Sequence, residues 1–186
     1  MRPGDISIDK QQGNYCALHA LRSAVQDEVA APRYTAEVLQ RAARAAAADM
    51  GDPLEKHCDP DSGDTFSIEA VCRAVRMVGA HVAQELEEQH DASKGVSLAA
   101  AFLVGEARPA EGLVMHDPSG IGHYVSLRLC PSFAGSVLML DSLSPGFAEV
   151  WSSDTFDSAV RTQRHVLEAG HLVDRPRFKM LRLVLK

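Results

Sequence analysis

Four residues that together suit thiol nucleophilic catalysis stand at informative places in the chain. Cys16 lies in KQQGNYCALHALRSAVQ, five residues after Gln11 and at the start of a helical pattern. A free cysteine is only a few per cent thiolate near neutral pH, and the thiolate is the attacking species. A helix N-terminus and a neighbouring imidazolium both favour that form. His123 opens HYVSLRL and Asp141 closes SVLMLD. Between them, CPSFAG holds the turn residues Pro131, Ser132 and Gly135, which predicts a hairpin. With the turn centred on Ser132, His123 falls opposite Asp141, with Cβ atoms about 4.5–5.5 Å apart. A carboxylate there fixes the tautomer and orientation of the imidazole. Gln11, in the loop before the helix, is placed to donate its side-chain N–H to a developing oxyanion, an interaction worth about 2.7–4 kcal/mol. Each residue also has an ordinary reading: a core cysteine, a loop histidine, an aspartate that starts a turn. It is their combination, in this order, that points to thiol catalysis.

Positioning such a set requires a helix packed on a sheet. From Cys16 to Gln26, Ala17, Ala20, Leu21, Ala24 and Val25 recur at helical spacing, with His19, Arg22, Ser23 and Gln26 on the other face. Asn14 is the expected N-cap, with Gly13 loosening the approach. An Ala-rich stretch over 35–50 reads as one helix or two broken ones, and 51–63 is a loop by composition. A further helix is expected over 67–78, capped by Ser67 and ended by Gly79. Residues 97–104 fit either a helix or a buried strand. GLVMH, HYVSLRL, SVLMLD and FKMLRLVL read as strands, and a late helix is expected over 153–168. Helices first and strands after predict an α+β fold with a mostly antiparallel sheet.

Bulk properties narrow the function classes. The 186 residues suit one domain with an adequate core. A formal net charge of −6 argues against nucleic acid as partner. No run is apolar and long enough to span a membrane, and the N-terminus lacks the apolar core of a secretory signal. The cysteines at 16, 58, 72 and 130 form no C-x-x-C pair and match no zinc spacing, so free thiols in a reducing compartment are expected. CDPDSGD does not hold a calcium-loop frame. His116, Asp117 and His123 fit no recognised metal spacing. No metal and no cofactor is expected.

The segment KQQGNYCALHALRSAVQ resembles the N-terminal motif of Josephin domains, the cysteine-protease deubiquitinases related to ataxin-3. Gln11, Cys16, Ala17, His19 and Leu21 occupy the motif positions. DSGDTFSIEAVCRAVRMVGAHV is similar to the family's Asp-x-Gly-x-Phe-Ser-Ile segment, GIGHYVSLRL to its histidine strand, and VLMLDSLSPGF to its Leu-(Asn/Asp)-Ser segment. The resemblance implies a papain-like fold spanning 1–186 as a single catalytic domain, with a helical hairpin arm over about 32–63. It implies Cys16 as nucleophile, His123 as general base and later acid, Asp141 as the residue orienting His123, and Gln11 in the oxyanion hole. It further implies substrate contacts at Tyr124, Asn14 and Tyr15. The reaction implied is hydrolysis of the bond after the C-terminal glycine of ubiquitin, with ubiquitin or polyubiquitin chains as partner and the enzyme a monomer.

Three departures stand out. Tyr124 replaces the family's usual Trp, Arg22 and Ser23 replace asparagine-rich positions, and the expected hairpin arm is rich in alanine and poor in large apolar residues. The alternative functions are a protease for another ubiquitin-like modifier or Gly-Gly peptide, and a pseudo-enzyme that binds ubiquitin without cutting it. A cytoplasmic location is expected. The Ala-, Val- and Arg-rich composition also raises a bacterial effector delivered to a host cell.

Overall fold

The computed structural model describes residues 8, 11, 13, 15–62, 65–86, 112–117, 123–129, 136–143, 149–152 and 179–185. The expected late helix, the segment 97–104, Asn14 and Cys130 lie outside the described residues. Among those described, three α-helices precede all six strands of one sheet. The helices are α1 (Cys16–Val25), α2 (Ala36–Met50) and α3 (Ile68–Val78). The strands are β1 (His81–Leu86), β2 (Gly112–Asp117), β3 (His123–Leu129), β4 (Ser136–Leu140), β5 (Glu149–Ser152) and β6 (Lys179–Leu185). Every pairing is antiparallel, in the order β1-β6-β2-β3-β4-β5. The α+β class expected from the sequence is the class observed.

Local chemistry explains the helix boundaries. The Thr35 hydroxyl accepts from the Val38 N–H at 3.2 Å and caps α2; the Ser67 hydroxyl does the same for α3 through Ala70, also at 3.2 Å. α3 buries its apolar stripe, Ile68, Val71, Cys72, Val75 and Val78, as its periodicity predicts. α2 turns Leu39, Ala42, Ala43, Ala46 and Ala47 inward and packs against α3. Its alanines let the two helices lie close. The stretch expected to form a helical hairpin is therefore one α-helix laid on α3, followed by a 3₁₀ turn at Leu54–Lys56 and a loop.

Other expectations are corrected by packing. The polar face of α1 is not solvated: His19 and Ser23 are buried, and Arg22 donates through Nε to the Tyr34 carbonyl at 3.0 Å. α1 is enclosed because β2 and β3 lie on one side and the 3₁₀ turn Ala31–Arg33 closes on another. β1 and β5 were not expected. β1 runs straight on from α3 and leads into an acidic stretch, and it pairs with the distant β6. β5 has only four residues.

Strands β2 to β5 form a meander, and β6 returns between β1 and β2. Val114, Tyr124, Leu181 and Leu183 on the sheet join α1, α2 and α3 in one apolar cluster. The alternate residues Leu113, Val125 and Leu127 are buried as well, so β2 and β3 are covered on both faces.

Candidate active site

α1 starts at Cys16, with Tyr15 rather than Asn14 as N-cap and no side-chain cap bond. The chain reaches it through Gly13 at φ +62°, a left-handed conformation that glycine adopts without strain. The first N–H groups of a helix lack intrahelical partners, so the start of α1 is a region of positive potential. Cys16 is buried there, a free thiol 7% exposed, and close enough to His123 to act on the charge of its imidazole.

His123 is the first residue of β3, and its Nε2 lies 3.0 Å from Asp141 Oδ1. With Nε2 taken by the carboxylate, Nδ1 is the ring nitrogen left for the sulfur. The expected pairing needs one correction. β3 and β4 pair Ser126 with Leu140 and Leu127 with Met139, so the ladder, continued past β4, sets Asp141 opposite Val125. His123 is therefore the diagonal neighbour of Asp141 on the same face, not its direct partner. Diagonal neighbours remain within reach of long side chains, and the contact survives the two-residue shift.

Hydrogen bonding outweighs burial in setting the state of this pair. The Asp141 hydrogen bond, then the Cys16 hydrogen bond, raise the His123 pKa from 6.5 to about 9 against the opposing effect of burial. The Asp141 pKa is lowered, first by the His123 hydrogen bond and also by the Leu143 N–H, which donates to Oδ1 at 2.9 Å. At neutral pH the imidazole is thus protonated and the carboxylate ionised. Asp141 starts a turn and orients a histidine at once; its two readings from sequence are both realised.

Tyr124 is 2% exposed, so it does not offer an open face to a substrate. Its hydroxyl donates to the Phe66 carbonyl at 2.8 Å, and its ring stacks on His116 at 4.3 Å. Tyr15 is half-buried, its ring 6.3 Å from that of Phe66. Gln11 is brought to the same corner: its N–H donates to the Ser142 carbonyl at 3.1 Å.

Two functional contributors were missed from the sequence. Arg128 is buried and donates to the Ala24 carbonyl near the C-terminal end of α1. A Cβ on Gly112 would meet the same carbonyl oxygen at 2.5 Å, so only glycine admits this approach. Together they fix how α1 lies on the sheet. Glycine at a strand start hints at such an approach; Arg128 carries no such signal, since an arginine in an alternating strand reads as solvated.

No family model and no curated protein matches the sequence. A likeness does emerge among solved structures. The crystal structure of the Pseudomonas avirulence protein AvrPphB superposes with a TM-score of 0.52 at 11% identity, over 98% of this chain and 99% of that chain. The two chains share a fold. Among the described residues, no helix is long and apolar enough to cross a membrane.

Proposed function

We propose that the chain is a cysteine protease whose nucleophile is Cys16, and that its substrate is ubiquitin, cut after the C-terminal glycine. One observation carries the catalytic part. His123 bonds Asp141 and interacts with Cys16, although the cysteine and the carboxylate lie 125 residues apart in the chain. A purely structural cysteine has no need of a histidine that is itself oriented by a carboxylate. The ubiquitin part rests on the Josephin-like segments around Gln11, Cys16, Phe66, His123 and Asp141. The acidic balance of the chain also suits the basic tail of ubiquitin.

In this reading the Cys16 sulfur attacks the carbonyl carbon of the scissile bond. The carbonyl oxygen becomes an oxyanion and is held by donors at the start of α1 and by Gln11 Nε2. Protonated His123 passes its proton to the leaving amine, and a thioester to Cys16 remains. Neutral His123 then takes a proton from water as the water attacks the thioester. The bond to sulfur breaks, the product leaves as its carboxylate after passing its remaining proton to solvent, and Cys16 stands again beside protonated His123. Asp141 keeps the imidazole in place through both steps. The family fold implied for such an enzyme is papain-like, and the arrangement of α1 on the sheet suits it. The avirulence-protein likeness makes action inside a host cell a reasonable setting.

The test is incubation with ubiquitin carrying a C-terminal thiol-reactive warhead, followed by mapping of the modified residue. Labelling at Cys16, lost in Cys16→Ala, is expected. Labelling by another modifier's probe in place of ubiquitin's would keep the protease and change the substrate. Binding without labelling would leave a ubiquitin-binding pseudo-enzyme.

A further inference from the structure

Ser142 follows Asp141 directly and is 3% exposed. Its hydroxyl donates to Gln11 Oε1 at 3.0 Å, across a sequence separation of 131 residues. Its carbonyl accepts from the Gln11 backbone N–H at 3.1 Å. The other end of the Gln11 carboxamide is also fixed, because Nε2 donates to the Gly13 carbonyl at 2.8 Å. A side-chain amide carries two N–H donors and one oxygen. Here the oxygen and one N–H are used within the loop, and the second N–H is left for another acceptor. The reversed amide would set its oxygen against the Gly13 carbonyl, two acceptors facing each other. Only one of the two amide orientations therefore fits.

We propose that Ser142 is a positioning residue for Gln11, holding its carboxamide so that Nε2 is presented to the oxyanion formed at Cys16. The inference rests on the thiol-protease reading of Cys16, His123 and Asp141. It gives the end of β4 two adjacent duties. Asp141 orients the base, and Ser142 orients the oxyanion donor. One short turn thereby ties together the two halves of the site, which the chain order keeps far apart.

The experiment compares wild type, Ser142→Ala, Gln11→Ala and the double variant on a ubiquitin C-terminal fluorogenic amide. Losing one oxyanion donor typically costs about 100- to 1,000-fold in kcat. Loosening that donor is expected to lower kcat roughly tenfold, with KM within about twofold. In the Gln11→Ala background, Ser142→Ala is expected to change kcat by less than about twofold, because the two act as one unit. Alkylation of Cys16 by iodoacetamide forms no oxyanion, so its rate is expected to stay at the wild-type value in Ser142→Ala. The Gln11 side-chain amide resonances, read by nitrogen–proton NMR, are expected to shift and to exchange faster with solvent. Should Ser142→Ala not fold, Ser142→Cys keeps the volume with a poor donor and carries the same expectations, the modified cysteine being identified by mass. Unchanged kcat, additive losses, slowed alkylation or an unmoved Gln11 amide each overturn the inference. A wild-type chain that turns over no ubiquitin substrate overturns the ubiquitin reading alone if iodoacetamide still labels Cys16 in a His123-dependent way. The Gln11 amide then decides whether Ser142 holds it.

Discussion

The two ends of α1 meet the same strand in different ways. At the C-terminal end, the buried Arg128 of β3 donates to the Ala24 carbonyl, and Gly112 of β2 lets that carbonyl approach the sheet. A cation facing the last carbonyls of a helix is favoured by the helix dipole. Burial lowers the Arg128 pKa only to about 10, so the contact is charged throughout the physiological range. At the N-terminal end, Cys16 meets His123, whose imidazole carries the titrating proton, and no side chain caps the helix. One end fixes the helix, and the other is left with donors and a nucleophile to use. A site can carry uncompensated polar groups when the element bearing them is anchored elsewhere.

Substitutions that erase the reactive end should have the largest effects. Cys16→Ala is expected to abolish hydrolysis of a ubiquitin substrate while retaining ubiquitin binding by calorimetry. His123→Ala is expected to slow warhead labelling of Cys16 by about 100-fold or more, in line with the usual range for general acid–base catalysis. Labelling at the native rate would remove the distinction between the two ends.

Stability should respond at the anchored end instead. Gly112→Ala forces a Cβ into the Ala24 carbonyl and is expected to cost about 1–3 kcal/mol in urea unfolding. Arg128→Met leaves that carbonyl without its donor, at about 1–3 kcal/mol. Should either variant melt like wild type, the anchor would lie elsewhere.

A smaller effect separates the ends by pH. The His123 pKa is raised on folding, so its contribution to stability is full below 6.5 and is lost as pH rises through about 9. The Asp141 pKa is lowered, so its contribution is present above 3.8 and is lost as pH falls below that value. The gap in melting temperature between wild type and His123→Gln should thus be widest between about pH 4 and 6.5 and narrow towards pH 10. The gap for Arg128→Met should stay flat up to about pH 9, below the Arg128 pKa of about 10. A His123→Gln gap that widens above pH 9 would contradict the assigned shift.

The smallest expected change lies away from both ends. Thr35→Ala removes the α2 cap and should cost about 1 kcal/mol, with the rate of Cys16 labelling unaltered. A slowed rate would show that α2 is coupled to the site.

Much of this architecture was readable from residue order. The stripes of α1 and α3, the caps at Ser67 and Gly79, and the strands around His123, Asp141 and the C-terminus follow from periodicity and turn residues, which act over a few neighbours. The three chemistry-bearing side chains were also legible as types. Register was not, because the β3–β4 turn can be centred on adjacent residues at little local cost, and the packed sheet selects one. Burial of His19, Ser23, Tyr124 and Arg128 was equally hidden. Whether a polar side chain faces water depends on which distant segment covers it. The sequence by itself determined the helix starts, the hairpin and the presence of cysteine, histidine and carboxylate. Only the tertiary structure decided that Asp141 reaches His123 diagonally, that Ser142 holds Gln11, and that Arg128 and Gly112 seat α1. These contacts join residues far apart in the chain, and no local preference encodes them.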